Sequence, residues 1–259
     1  MLKIKDCVAL VTGANRGLGR AYCEGLLRAG AAKVYAAARD PSKVKVDDTR
    51  VVAVGLDVTI SADVRAAAGA CGDLTLLINN AGALRNSPML ADDSEAAARH
   101  EMETNFFGVL AMVGAFAPVL GKNGGGAIVN VLSVASWFTN PFMATYCASK
   151  AAEQVLTDAI RMQMNSQGTH VVGVYAGYID TDMAAHVSLP KTSPGQVVER
   201  TLEGVESGLD QVFADDRAIG VDARVRTDRA KFYAELQEDW NARCGAAASD
   251  APGQREKSF

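Results

Sequence analysis

Histidine is scarce in this chain, with three in 259 residues, and the five cysteines contain no Cys-x-x-Cys pair. His100, His170 and His186 lie far apart, so no metal-ligand spacing emerges, and a zinc-dependent redox enzyme is disfavoured. Cys7, Cys23, Cys71, Cys147 and Cys244 read as buried small apolar residues or incidental thiols. No Lys/Arg-rich run appears and the net charge is −4, which argues against a nucleic-acid partner. The N-terminus carries no long apolar segment, so neither a signal peptide nor a membrane span is read, and a cytoplasmic protein is expected. Aromatic residues are also few, 6% against 49% hydrophobic overall. Such a core relies on Ala, Val and Leu, which suits helices packed closely on a sheet.

What the chain does have begins with Tyr146 and Lys150, in the run Tyr146-Cys147-Ala148-Ser149-Lys150, with Ser133 upstream at the end of an apolar stretch. On a helix, residues i and i+4 share a face. A free tyrosine keeps its proton to about pH 10, and a nearby ammonium is expected to bring that value down toward the working range. Ser133 can then bond a substrate oxygen while Tyr146 gives or takes its proton. That chemistry suits a carbonyl becoming an alcohol, or the reverse.

Near the N-terminus, the β-branched run Val8-Ala9-Leu10-Val11 leads into Thr12-Gly13-Ala14-Asn15-Arg16-Gly17-Leu18-Gly19. Ala21, Tyr22, Leu26 and Leu27 then recur with helical spacing up to Gly30. Strand, glycine turn and helix N-terminus in that order build an anion site, where free N–H groups and the helix dipole face a phosphate. The spacing Gly-x-x-x-Gly-x-Gly differs from the commoner Gly-x-Gly-x-x-Gly dinucleotide turn.

Further strands are predicted at Val34 to Ala38, Val51 to Val54, Leu74 to Ile78, Ala127 to Val131 and Val171 to Tyr175, with a weaker one at Gln211 to Phe213. Strands alternating with helical stretches predict an α/β fold: one doubly wound, Rossmann-type parallel sheet with helices on both faces. The glycine turn, Arg39, Asp57, Asn79-Asn80-Ala81-Gly82, Ser133 and Ile179 all follow strand ends and should converge on one crevice. The domain is expected to span residues 1–245, with 246–259 a small, polar tail.

These motifs together resemble the short-chain dehydrogenase/reductase family, from about Lys5 to Met183. The resemblance implies an NADP(H)- or NAD(H)-dependent oxidoreductase with Asn105, Ser133, Tyr146 and Lys150 as its catalytic group. It implies cofactor contacts from Gly13, Asn15, Arg16, Gly17, Leu18, Gly19, Arg39, Asp57, Val58, Asn79, Ala81 and Gly82, from Tyr146 and Lys150, and from Gly177, Ile179 and Thr181. Asn105 would hold water near Lys150; Asp57 and the Val58 backbone would take the adenine; Asn79 to Gly82 would support the fifth strand and line the adenosine ribose. Ile179 and Thr181 would clamp the carboxamide. Ala176 stands where the family usually carries proline, which leaves that loop less rigid, and Leu132 replaces a common serine.

An NAD-preferring site is expected to place an acid at the end of the second strand. Ala38 is neutral there, and Arg39 with Arg16 can bracket a 2′-phosphate, so NADP(H) is the expected cofactor. Trp137, Phe138, Phe142, Met143 and the loop from Asp182 to Pro194 are expected to wall the substrate pocket, pointing to a neutral, apolar carbonyl or secondary alcohol. Phe106 to Val113 is apolar around its circumference, and Val155, Leu156, Ala159, Ile160 and Met162 fall on more than one side of their helix. A homodimer or homotetramer should bury that surplus. The competing reading is a nucleotide-sensing protein of the same fold without turnover; an epimerase or dehydratase is disfavoured by the glycine spacing.

Overall fold

The computed structural model describes residues 1–249. Seven strands form one parallel sheet in the order β3-β2-β1-β4-β5-β6-β7. They are β1 (Val8–Thr12), β2 (Lys33–Ala38), β3 (Val51–Gly55), β4 (Leu76–Asn79), β5 (Gly126–Val131), β6 (Thr169–Tyr175) and β7 (Gln211–Phe213). The helices are α1 (Gly17–Arg28), α2 (Ser61–Ala70), α3 (Ser94–Met102), α4 (Val109–Lys122), α5 (Ala144–Met164), α6 (Pro194–Ser207), α7 (Asp216–Thr227) and α8 (Arg229–Ser249). A π-helical turn over Glu103–Gly108 joins α3 to α4.

The central strands are apolar on both faces because both faces are covered. Side chains alternate with period two, so Ala9 and Val11 of β1 enter one core while Leu10 enters the other. Leu76 and Ile78 of β4 likewise oppose Leu77, and Ala127 and Val129 of β5 oppose Ile128. The first core is closed by Tyr22 and Leu26 of α1 and by Val197, Val198 and Val205 of α6. The second is closed by Val64 of α2, Met112, Phe116 and Leu120 of α4, and Leu156 and Ile160 of α5. Phe116 and Leu120 are fully buried, each a stabilisation of about 1.5–3 kcal/mol relative to exposure.

The strand order reverses between β1 and β4, each of which pairs in parallel with the other. Crossovers leave that point in opposite directions, opening a crevice at the strand C-termini. A third, smaller apolar cluster (Leu132, Val134, Tyr175, Ala218, Val221, Phe232) lies under α7 and α8 at this same end. Helix α8 reaches Ser249, taking in the first four residues of the expected tail. Alanine, the best helix former, fills 246–248; residues 250–259 of the expected tail lie outside the described residues.

Candidate active site

The cleft at the C-terminal edge of the sheet is open and encloses about 1720 Å³. Its phosphate-sized corner is built by the turn between β1 and α1. Gly13 and Gly17 hold φ of 67° and 53°, a region that a side chain disfavours. A Cβ on Gly19 would lie 2.2 Å from the Gly13 carbonyl oxygen, so only glycine lets the turn fold this tightly. Helix α1 starts after Arg16 with no side-chain cap, leaving its first N–H groups and positive dipole end for an anion. Thr12 ties this turn to the next strand: its hydroxyl accepts the N–H groups of Asn80 and Ala81, both at 2.9 Å. The Asn80 amide donates back to the Thr12 carbonyl at 2.8 Å.

Asn15, Leu18, Arg39, Asp57, Val58, Ala81 and Gly82 all line the cleft, as expected. Arg39 is exposed and makes no ion pair among the described residues; Asp40 instead pairs with Lys43 and caps the short turn at Ser42. Arg16 donates to Asp182 at 2.6 Å across the mouth of the cleft, with both side chains largely exposed. Asp57 accepts the Thr59 N–H and hydroxyl through Oδ1, while Ile60 rather than Asp57 precedes α2. Asn79 meets the expected support of the fifth strand but not the lining of the cleft. Its side chain is buried and donates to Asn130 of β5 at 2.9 Å, so it supports that strand and does not line the cleft, where Asn80 stands instead.

The opposite wall carries the expected chemistry. Ser133 follows β5, and Tyr146 and Lys150 face the cleft from the first turns of α5. The Lys150 Nζ donates to the Val131 carbonyl at 2.9 Å and to Glu153 Oε2 at 2.6 Å. Lys150 and Glu153 are both buried. Burial pushes the Tyr146 phenol above its ordinary value; the Lys150 charge pulls it down, Glu153 pushes it up and the Ser133 hydroxyl pulls it down. The net direction is upward, opposite to the expected lowering, because desolvation of a phenolate outweighs one partly neutralised ammonium. Asn105 is held from several sides. Its side chain accepts the Ala83 N–H at 2.8 Å and donates to the Ala83 carbonyl at 3.0 Å and to Ser149 Oγ at 2.9 Å. Fully buried, it fastens the loop after β4 to α5, with both amide N–H groups engaged and one Oδ1 lone pair still open to a donor.

Gly177, Ile179 and Thr181 lie on the segment after β6, all facing the cleft. Ala176 costs this segment less rigidity than expected. Its carbonyl accepts the Val134 N–H at 3.0 Å, and the Gly177 N–H donates to Asp215 Oδ2 at 2.8 Å. Of the expected substrate walls, Phe138, Met143 and, from the loop, Asp182 to Ala184 with His186 and Val187 line the cleft. Trp137 stacks on Tyr175 of β6 at 4.4 Å and Phe142 packs against Trp240 of α8 at 4.9 Å, so one packs on the sheet and the other on a helix. The wall also includes Arg217, Val221 and Arg224 of α7 and Phe232 and Leu236 of α8. These carry no motif and sit far along the chain, so only the basic and apolar spacing of α7 hinted at them. Arg217 lies over the Tyr178 ring, while Arg224 pairs with Glu235. Lys43, Asp215 and Glu153 were equally unmarked in sequence.

A short chain dehydrogenase family model matches residues 7–191. The "Dehydrogenase/reductase SDR family member 7B" of Danio rerio is 30% identical over 215 residues, covering 76% of this chain and 69% of that protein. The "Short-chain dehydrogenase PC-15" of Penicillium crustosum is 32% identical over 211 residues, 78% of this chain and 77% of its own. Among solved structures, a short chain dehydrogenase from Burkholderia cenocepacia J2315, in complex with NADP, superposes with a TM-score of 0.88 at 42% identity. It covers 91% of this chain and 99% of the other.

Proposed function

The chain belongs to the short-chain dehydrogenase/reductase family, and on that premise we propose that it is an NADP(H)-dependent oxidoreductase interconverting a carbonyl and a secondary alcohol. The observation that carries this reading is the shared cleft: Ser133, Tyr146 and Lys150 on one wall, and an uncapped helix N-terminus on the other. The residues suit a dinucleotide. Gly13 to Gly19 would take its pyrophosphate, Asp57 and Val58 its adenine, Lys150 a ribose hydroxyl, and Gly177, Ile179 and Thr181 its carboxamide. When bound, the cofactor supplies or accepts the hydride. The Ser133 hydroxyl holds the substrate oxygen, and Tyr146 moves a proton to or from it. In carbonyl reduction the protonated phenol gives its proton to the substrate oxygen, and in alcohol oxidation the phenolate takes it.

Arg39, exposed just past the end of β2 and without a carboxylate partner among the described residues, favours a 2′-phosphate, and Lys43 lines the same cleft. The NADP in the Burkholderia cenocepacia relative supports the same preference. Phe138, Met143, Val187, Phe232 and Leu236 give the substrate end an apolar lining, which suits a small apolar carbonyl. A cytoplasmic location belongs to the same proposal. The test is a panel of ketones, aldehydes and secondary alcohols with each cofactor, on the native protein and on Arg39→Asp. The native protein should turn over with NADPH preferred, and Arg39→Asp should weaken NADPH binding at least tenfold while leaving NADH nearly unchanged, since a charge-assisted bond is worth about 1.5–3 kcal/mol. Equal efficiency with both cofactors in the native protein would sink the preference. Tight cofactor binding without turnover on any member of the panel would favour a sensor.

A further inference from the structure

Glu153 is an acid in a place where an apolar residue would cost less. It lies on the buried side of α5, one turn beyond Lys150, with its side chain 1% exposed. Its carboxylate bonds the Lys150 ammonium at 2.6 Å. An ion pair taken out of water seldom stabilises a fold better than well-packed hydrocarbon does, so stability alone gives no reason for a carboxylate here. The pair does have a consequence for the reaction. Two of the three Lys150 donors are fixed, one by the Val131 carbonyl and one by Glu153, which leaves a single donor and one orientation toward the cleft. The negative charge also offsets the positive one before it reaches Tyr146, whose ring lies 6.0 Å from the Lys150 Nζ.

We propose that Glu153 is a positioning residue that locks the Lys150 ammonium and tempers its field, keeping Tyr146 in the proton-bearing form that carbonyl reduction uses. This rests on the acid role proposed for Tyr146. The surroundings add few competing charges. On α5 the other titratable neighbours are Cys147 and Tyr146 itself; from α3 comes Glu101, buried and bonded to the Arg85 N–H. Ser133 after β5 and Asn130 within it are neutral, and Asn130 is committed to Asn79 and Thr157. Glu153 is therefore the carboxylate in direct contact with Lys150, and its contribution at Tyr146 opposes that of the ammonium.

The test reads Tyr146 without any substrate. The ultraviolet phenolate absorbance of the NADP⁺-saturated protein is titrated, with Tyr146→Phe subtracted to isolate this residue; the cationic nicotinamide keeps the transition within reach. Glu153→Gln and the apolar Glu153→Leu should each move the Tyr146 transition down by roughly one pH unit, the size expected of one charge at several ångströms in a medium of effective ε near 20. A well-folded variant whose Tyr146 transition stays within a few tenths of the native value would overturn the proposal. So would failure of both variants to fold, which would make the pair a structural requirement. Loss of the acid role itself shows separately, as undiminished turnover in Tyr146→Phe.

Discussion

At Tyr146 three influences compete: desolvation, which holds the proton; Lys150, which releases it; and Glu153, which blunts Lys150. Burial raises the Glu153 carboxyl above the ordinary carboxylate range, against the pull of its cationic partner. Removing the phenol oxygen takes away the transferable proton while the glycine turn, Lys150 and the segment after β6 stay as they are. Tyr146→Phe should therefore keep cofactor affinity within about twofold and lose roughly a hundredfold or more in turnover, the usual share of a positioned acid. Fluorescence titration with NADPH and steady-state rates would check the split. Lys150→Ala should fare worse in a different way. It strands the Glu153 carboxylate in the interior, a penalty of about 3–5 kcal/mol, and it removes a ribose donor. Adding Glu153→Gln to Lys150→Ala should restore much of the stability in urea unfolding and none of the turnover. If the double variant were no more stable than Lys150→Ala, the orphaned charge would not be the cause.

Elements fix these side chains by handing one another hydrogen bonds. The turn between β1 and α1 is tied to the loop after β4 through Thr12, that loop to α5 through Asn105, and the segment after β6 to α7 through Asp215. Asp215 is 2% exposed and accepts twice, from Gly177 N–H at 2.8 Å and from Ala218 N–H at 2.7 Å as the cap of α7. Asp215→Ala should cost about 2–4 kcal/mol, a lost cap of about 1 plus a buried N–H left unsatisfied at about 1–3. Because Gly177 faces the nicotinamide end, cofactor affinity should drop with it. Asp215→Asn, which keeps an acceptor oxygen, should recover at least half of the loss in urea unfolding; an alanine variant as stable as the native protein would show that the contact holds nothing. The strands were legible because each is a short, mostly apolar run bounded by glycine or polar residues, and the glycine turn because its spacing implies a backbone shape. Asn105 and Asn79 were legible as positions but not as orientations: periodicity says that a residue is inside, not which partner takes its amide. The α7 and α8 wall was illegible because Arg217 and Phe232 meet the cleft only after the chain has crossed the whole sheet.

For the molecule as a whole, the unbalanced quantity is apolar surface on one side. The helix running from Ser94 to Lys122 is long and apolar enough to cross a membrane by composition, yet Met112, Phe116 and Leu120 lie against the sheet as core. Its other flank shows Phe107 at 49% and Leu110 at 43% exposed. On α5, Val155 and Met162 are 71% and 74% exposed, seven residues apart and so on one face. Leu156 and Ile160, which the sequence placed beside them, are buried in the second core. The surplus thus narrows to a stripe on α5 next to the start of α4, two helices that pack against each other and against the same sheet face. A second copy related by a two-fold axis would meet the same stripe on itself, and a stable pairing needs at least about 1,000 Å² of buried surface in total, which two exposed helix faces per copy can supply. We therefore expect a homodimer or homotetramer assembled through this stripe. Val155→Lys with Met162→Lys places like charges across the two-fold and should yield a monomer by light scattering at micromolar concentration, with the helix content of the native protein retained. A native protein already monomeric under those conditions, or a double variant that still associates, would move the interface elsewhere or remove it.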